Sequence, residues 1–274
     1  TKDGAGTLTL SGTNTYTGDT TINAGTLVAG TNAPSGSAGA LGNSTNAVLL
    51  GDTTGSSNAA LVTNGAFTIA RDITVQSGSS GTATIGGNSA HSSTFTGNVV
   101  LNKNVILTAV SSGTATFSTG VISGSYAVTK TDVGTVVLSG TNTYTGDTTI
   151  NAGTLVAGTN APSGSAGALG NSTNAVLLGD TTGSSNAALV TNGAFTIARD
   201  ITVQSGSSGT ATIGGNSAHS STFTGNVVLN KNVILTAVSS GTATFSTGVI
   251  SGSYAVTKTD VGTVVLSGTN TYTG

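Results

Sequence analysis

Apolar and polar residues alternate with a period of two along much of the chain. In Phe67-Thr68-Ile69-Ala70-Arg71-Asp72-Ile73-Thr74-Val75 an apolar side chain recurs at nearly every second position. In Gly81-Thr82-Ala83-Thr84-Ile85 and Gly113-Thr114-Ala115-Thr116-Phe117, Thr faces one way while Ala, Ile and Phe face the other. Such alternation marks a strand with one face buried. It predicts short strands over 7–10, 20–22, 26–29, 47–50, 59–62, 67–70, 73–76, 82–85, 94–96, 99–102, 105–109, 114–118 and 127–130. Between them lie turn formers such as Asn23-Ala24-Gly25, Asn64-Gly65, Ser77-Gly78, Gly86-Gly87-Asn88 and Ser111-Ser112-Gly113. Gly and Asn tolerate the positive φ that sharp corners need. No segment sustains a period of 3.6, and Glu and Met are absent. The chain is therefore expected to be all-β.

The strands are organised by a long repeat. Ser11-Gly-Thr-Asn-Thr-Tyr-Thr-Gly18 returns at Ser139 and again at Ser267, the same interval both times, and 11–138 reads the same as 139–266. The expected organisation is 1–10 as the end of a preceding unit, 11–138 and 139–266 as two units, and 267–274 as the start of a third. The chain thus reads as a window on a longer array. A unit of this length exceeds one coil of a solenoid. A sandwich needs hairpins and a propeller needs blades of about 40–50 residues. A parallel β-helix needs only short strands, tight polar corners and indefinite extension. With roughly 20–25 residues per coil, one unit would hold about six coils. At about 4.8 Å per stacked strand it would add roughly 30 Å of rod.

Composition narrows the function. Charged residues make up 6% of the chain and aromatic residues 4%, against 36% hydrophobic. That balance is too apolar for a disordered chain. Seven Lys and Arg stand scattered against nine acids, all Asp, so no basic run exists to bind nucleic acid. No apolar stretch is long enough for a transmembrane helix. There is no cysteine, so no disulfide framework holds the fold.

The segment Gly6-Thr-Leu-Thr-Leu-Ser-Gly-Thr-Asn-Thr-Tyr-Thr-Gly-Asp-Thr-Thr-Ile-Asn-Ala-Gly-Thr-Leu-Val-Ala29 resembles the autotransporter-associated β-strand repeat of bacterial passenger regions. The likeness covers this one segment of each unit, preceded by Lys2-Asp-Gly-Ala-Gly6 or by its variant Lys130-Thr-Asp-Val-Gly134. It implies a right-handed parallel β-helix, a β-solenoid of tandem units, exported and displayed at the cell surface. It names no activity, because such repeats form stalks beneath varied heads. The aromatic girdles of a translocating outer-membrane barrel are not seen.

Candidate chemistry is sparse, and no catalytic, cofactor-binding or metal-binding residue is assigned. The acids of one unit, Asp19, Asp52, Asp72 and Asp132, are far apart in sequence, whereas a glycosidase needs two carboxylates about 5–10 Å apart. His91 is the lone histidine of its unit, and a metal site needs more ligands. Arg71-Asp72 is an adjacent pair whose members face opposite sides of a strand. Tyr16 reads either as an aromatic packed between coils or as a sugar contact. Phe67, Phe95 and Phe117 read as core. Thr7/Thr9, Thr13/Thr15/Thr17, Thr82/Thr84 and Thr114/Thr116 raise the alternative of an ice-binding threonine array. The stretch 31–46, with Pro34, reads as a protruding loop.

The expectation is an extracellular structural fibre, stalk or filament of a bacterial surface, without enzymatic activity. Its partners would be other copies of itself and a host or neighbouring surface or its glycans. The alternative is a glycan- or surface-binding adhesin acting through the irregular loops. A polysaccharide-active β-helix enzyme and an ice-binding solenoid rank below these.

Overall fold

The computed structural model describes residues 1–274. Its 29 regular elements are all strands, of two to five residues each. They stack into four ladders of 11, 9, 5 and 4 strands. Every pairing between named strands is parallel, so the chain winds as a β-solenoid.

The ladders line three faces. The 11-strand ladder runs from Thr7–Leu10 to Ile250–Ser251 and forms one whole face. The 9-strand ladder, from Thr68–Ile69 to Val256–Thr259, forms a second. The 5-strand ladder, ending at Ile122–Gly124, and the 4-strand ladder, beginning at Thr196–Ile197, share the third. Between those two the chain crosses the third face irregularly. Thr143 and Thr145 donate backbone N–H groups to the carbonyls of Ile122 and Gly124, and Ala161 then bridges in parallel to Ile197.

Exact stacking makes the core a set of columns. On the face of the 11-strand ladder, Leu8, Leu27, Leu61, Ile85, Leu107, Lys130, Ile150, Leu178, Val203 and Leu229 are successive register partners. A second column stacks Phe95 on Phe117, with ring centroids 4.8 Å apart and an interplanar angle of 11°. Each large apolar side chain so buried is worth about 1.5–3 kcal/mol. The apolar interior forms one cluster, from Ile22 to Ile250, with no gap at residue 139.

Four details depart from the sequence-based expectation. First, the Asn residues at the corners do not take positive φ. The non-glycine residues that do are Ser112, Asp132, Ser240 and Asp260. Asn instead caps the next coil. Asn58 Oδ1 accepts from Thr82 N at 2.8 Å, Asn104 Oδ1 from Ala127 N at 3.0 Å and Asn98 Oδ1 from Val121 N at 3.0 Å. Second, 31–46 does not protrude freely. Ala33, Ala40 and Leu41 are buried, and Ala33 bridges in parallel to Ile69. Third, Phe67 is half-buried at a corner, over Gly65. Fourth, a unit does not hold six coils. Between Thr7–Leu10 and its equivalent Thr135–Leu138 the chain crosses sixteen faces, which makes five turns and one-third.

Candidate functional surface

A rod of this kind acts through its outer face, so the fate of the charged and aromatic side chains decides what it can bind. All seven cationic side chains turn back to backbone carbonyls. Lys2 Nζ donates to Gly4 O at 2.6 Å and Ala24 O at 2.8 Å. Lys130 Nζ donates to Thr131 O and Asp132 O at 2.6 Å and to Ala152 O at 3.0 Å. Lys103 and Lys231 each bond two carbonyls of the preceding coil, and Lys258 bonds Thr259 O and Asp260 O. Arg71 reaches Leu41 O at 2.7 Å and also Asn46 O. Arg199 does the same to Leu169 and Asn174.

These cations are structural, and three, Lys130, Arg71 and Arg199, lie deep. Lys130 and Arg71 are both 0% exposed. Burial lowers the Lys130 ammonium to about 8, against the opposing pull of Asp132. Burial likewise lowers both Arg71 and Arg199, with nearby Tyr and Asp groups pulling the other way. Lys130 sits at the seam of two units, beside Gly153. The φ of Gly153 is +69°, and a Cβ there would lie 2.4 Å from the carbonyl oxygens of Asp132 and Gly134. Only glycine fits that turn.

The residues singled out by sequence fall out as follows. No three His or Asp residues gather as a metal site would require. Asp72 Oδ1 accepts from Asn98 N at 2.7 Å, Asp19 from Asn46 Nδ2 at 2.7 Å, Asp52 from Thr53 N at 2.7 Å, and Asp132 from the Thr108 hydroxyl. Each carboxylate therefore serves a turn. His91 is exposed, its Nδ1 3.2 Å from Ser89 Oγ. Arg71 and Asp72 lie in the corner between Thr68–Ile69 and Ile73–Val75, with Arg71 buried and Asp72 exposed. Tyr16, in the first coil, is 39% exposed, whereas its equivalent Tyr144 is 0% exposed. A sugar cannot reach Tyr144.

The threonines do form ladders. Ser92, Thr114, Thr135 and Thr154 are successive outward partners on the second face, and Thr68, Thr94 and Thr116 form a parallel row ending at Val137. Thr84 lies on the face of the 11-strand ladder instead. The two-wide Thr patch therefore spans few coils before it stops. In the next unit its equivalents, Thr222 and Thr244, stand on another face. An ice plane needs one long flat array, which this arrangement interrupts.

A shallow furrow recurs in each unit. In the first it is lined by Ala5, Thr26, Ser57, Asn58, Ala60 and Thr84, with a volume of about 290 Å³. In the second it is lined by Val133, Thr154, Ser185, Asn186, Ala188 and Thr212, at about 440 Å³. Neither copy contains a charged or aromatic side chain. Sequence reading missed the furrow because it joins residues from four successive coils on one corner.

The family model for the passenger-associated-transport repeat matches residues 1–29, 128–157 and 256–274. Three segments of the chain thus carry the pattern of that repeat. The matched segments include Lys2, Lys130 and Lys258 and the turn at Gly25 and Gly153, so the family pattern coincides with the seam between units. The whole chain is similar to the adhesin BmaC autotransporter of Brucella suis biovar 1 (strain 1330), 30% identical over 282 aligned residues. The chain spans 7% of that relative's length. No solved structure matches the chain. The matched segments thus lie on a β-solenoid backbone whose register runs through them without interruption.

Proposed function

We propose that this chain is a segment of an exported, non-enzymatic rod that carries or displays adhesive surface outside a bacterial cell. The observation that supports this most is the unbroken register column from Leu8 to Leu229, which crosses the junction between units without a joint. A column of this kind adds stability coil by coil through nearest neighbours. Units 11–138 and 139–266 act as its tandem elements and supply length and stiffness. The commitment of every cation to a turn carbonyl leaves no free basic patch to recruit polyanions, and it favours neutral partners or other rods of the same kind.

Electron microscopy of arrays of two, four and six units tests the rod. The expected outcome is straight particles that lengthen by about 26 Å per unit, five and one-third turns at about 4.8 Å. Particles resembling beads on a flexible string would refute it.

The relative's name favours a second reading, direct adhesion to a surface or its glycans. Binding to a panel of neutral and sulfated glycans tests that reading. Retention of neutral chains supports it, and retention of sulfated chains alone contradicts the charge argument.

A further inference from the structure

The unit and the coil are out of step. Thr7–Leu10 pairs within the 11-strand ladder, yet its equivalent Thr135–Leu138 joins the 9-strand ladder on the next face. The next equivalent, Thr263–Leu266, joins the 4-strand ladder on the third face. Every other strand shifts the same way. Thr21–Ile22 lies in the 5-strand ladder, and its equivalent Thr148–Ile150 lies in the 11-strand ladder. Ala59–Thr63 lies in the 11-strand ladder, and Ala187–Thr191 in the 9-strand ladder.

We infer that successive units are related by a screw of one-third of a turn, so that an array of three units presents each surface feature on all three sides of the rod. The cause is arithmetic in the sequence. A repeat that crosses sixteen faces of a three-faced coil leaves one face over. The true structural repeat is then three units, or sixteen turns, about 77 Å at about 4.8 Å per turn. The furrow of Thr26, Asn58 and Thr84 belongs to one face, and its copy of Thr154, Asn186 and Thr212 to the next.

The consequence concerns partners. A partner approaching from one side meets an equivalent unit once in three, about 77 Å apart. A rod of three or more units has no side from which a given feature is missing. The array is therefore matched to a partner that reaches around it, and one-sided attachment engages only a third of its units. That use rests on the adhesive reading above, while the screw itself rests on register alone.

Pairwise spin-label distances test the screw separately from any adhesion. The chain has no cysteine, so Thr13→Cys, Thr141→Cys and Thr269→Cys, all at exposed equivalent positions, can be paired two at a time in the full chain. With the screw, both the one-unit and the two-unit separations contain the same sideways chord. The distance from 13 to 269 is then expected to fall well short of twice the distance from 13 to 141. A ratio of two would place the labels on one line and overturn the inference. The exposed triad Thr15, Thr143 and Thr271 provides an independent set should the first perturb folding. Loss of adhesion with the ratio below two would refute the adhesive reading and leave the screw standing.

Discussion

The Tyr144 hydroxyl lies 2.9 Å from Thr148 Oγ1, four residues further along the same seam coil, and both side chains are fully buried. Thr148 Oγ1 is in turn 3.4 Å from Leu169 O, on the segment folded over it. The backbone carbonyl of Tyr144 accepts from Asn171 N at 2.8 Å. The seam is thus the place where the coil gives up a regular strand and where buried polar groups take over from the ladder. Buried hydroxyls in such a place must find partners or cost the full desolvation penalty.

Burial raises the Tyr144 phenol to about 12, its bond to Thr148 and the Arg199 charge pulling the other way. In the unfolded chain it titrates near 10. The folded state therefore holds this proton more tightly, and the stability it confers is complete below pH 10 and lost as pH rises through 12. The Tyr144→Phe variant should be less stable than wild type by about 1 kcal/mol at neutral pH, the usual worth of one buried bond. Between pH 10 and 12 the wild type should lose about 2–3 kcal/mol relative to the variant. Chemical denaturation across that range measures the difference, and parallel curves would count against a buried phenol.

Much of this is legible in the alternation. The period of two places Phe67, Ile69, Ile73 and Val75 on one side, and that same side includes position 71. Arg71 is therefore marked as inward by its spacing, and only its charge suggests a surface role. Lys130 sits likewise between Val128 and the turn, in the row of Leu107 and Ile150. The phase of the repeat is not legible. Two identical units look interchangeable in sequence, and only the length of a turn decides whether they share a face. The irregular crossing at 31–46 lengthens the turn between Gly25–Ala29 and Ala59–Thr63, so a typical coil length overcounts the turns and gives about six coils.

Lys130 makes the opposite prediction to Tyr144. Burial lowers its ammonium from 10.5 to about 8, so the folded state binds this proton less tightly than the unfolded chain. The stability linked to it is present above pH 10.5 and lost as pH falls through 8. The Lys130→Met variant removes that dependence. The stability of wild type minus variant should thus rise between pH 8 and 10.5, by up to about 3 kcal/mol. Lys103 and Lys231, also lowered by burial, contribute equally to both proteins and cancel. A flat difference curve would show that the three carbonyl bonds of Lys130 fully compensate its burial.

Arg199 tests whether the folded-back segment 159–174 is clamped by one side chain. Arg199 is buried, and its guanidinium serves two carbonyls in different directions, Leu169 O through Nη1 and Asn174 O through Nε and Nη2. Arg199→Met preserves most of the apolar stem and leaves both carbonyls without that donor, a loss of about 3 kcal/mol. Arg199→Lys restores a charge but not a fork, because a single ammonium cannot take up both directions held by a planar group. Lys is therefore expected to rescue less than half of the loss. Amide exchange separates local from global effects. In both variants the amides of Asn171 and Gly170, which bond Tyr144 O and Gly167 O, should exchange faster, while Leu189 and Ile213 in the ladder keep their protection. Equal acceleration in segment and ladder would mean that Arg199 supports the whole core and does not act as the clasp of this segment.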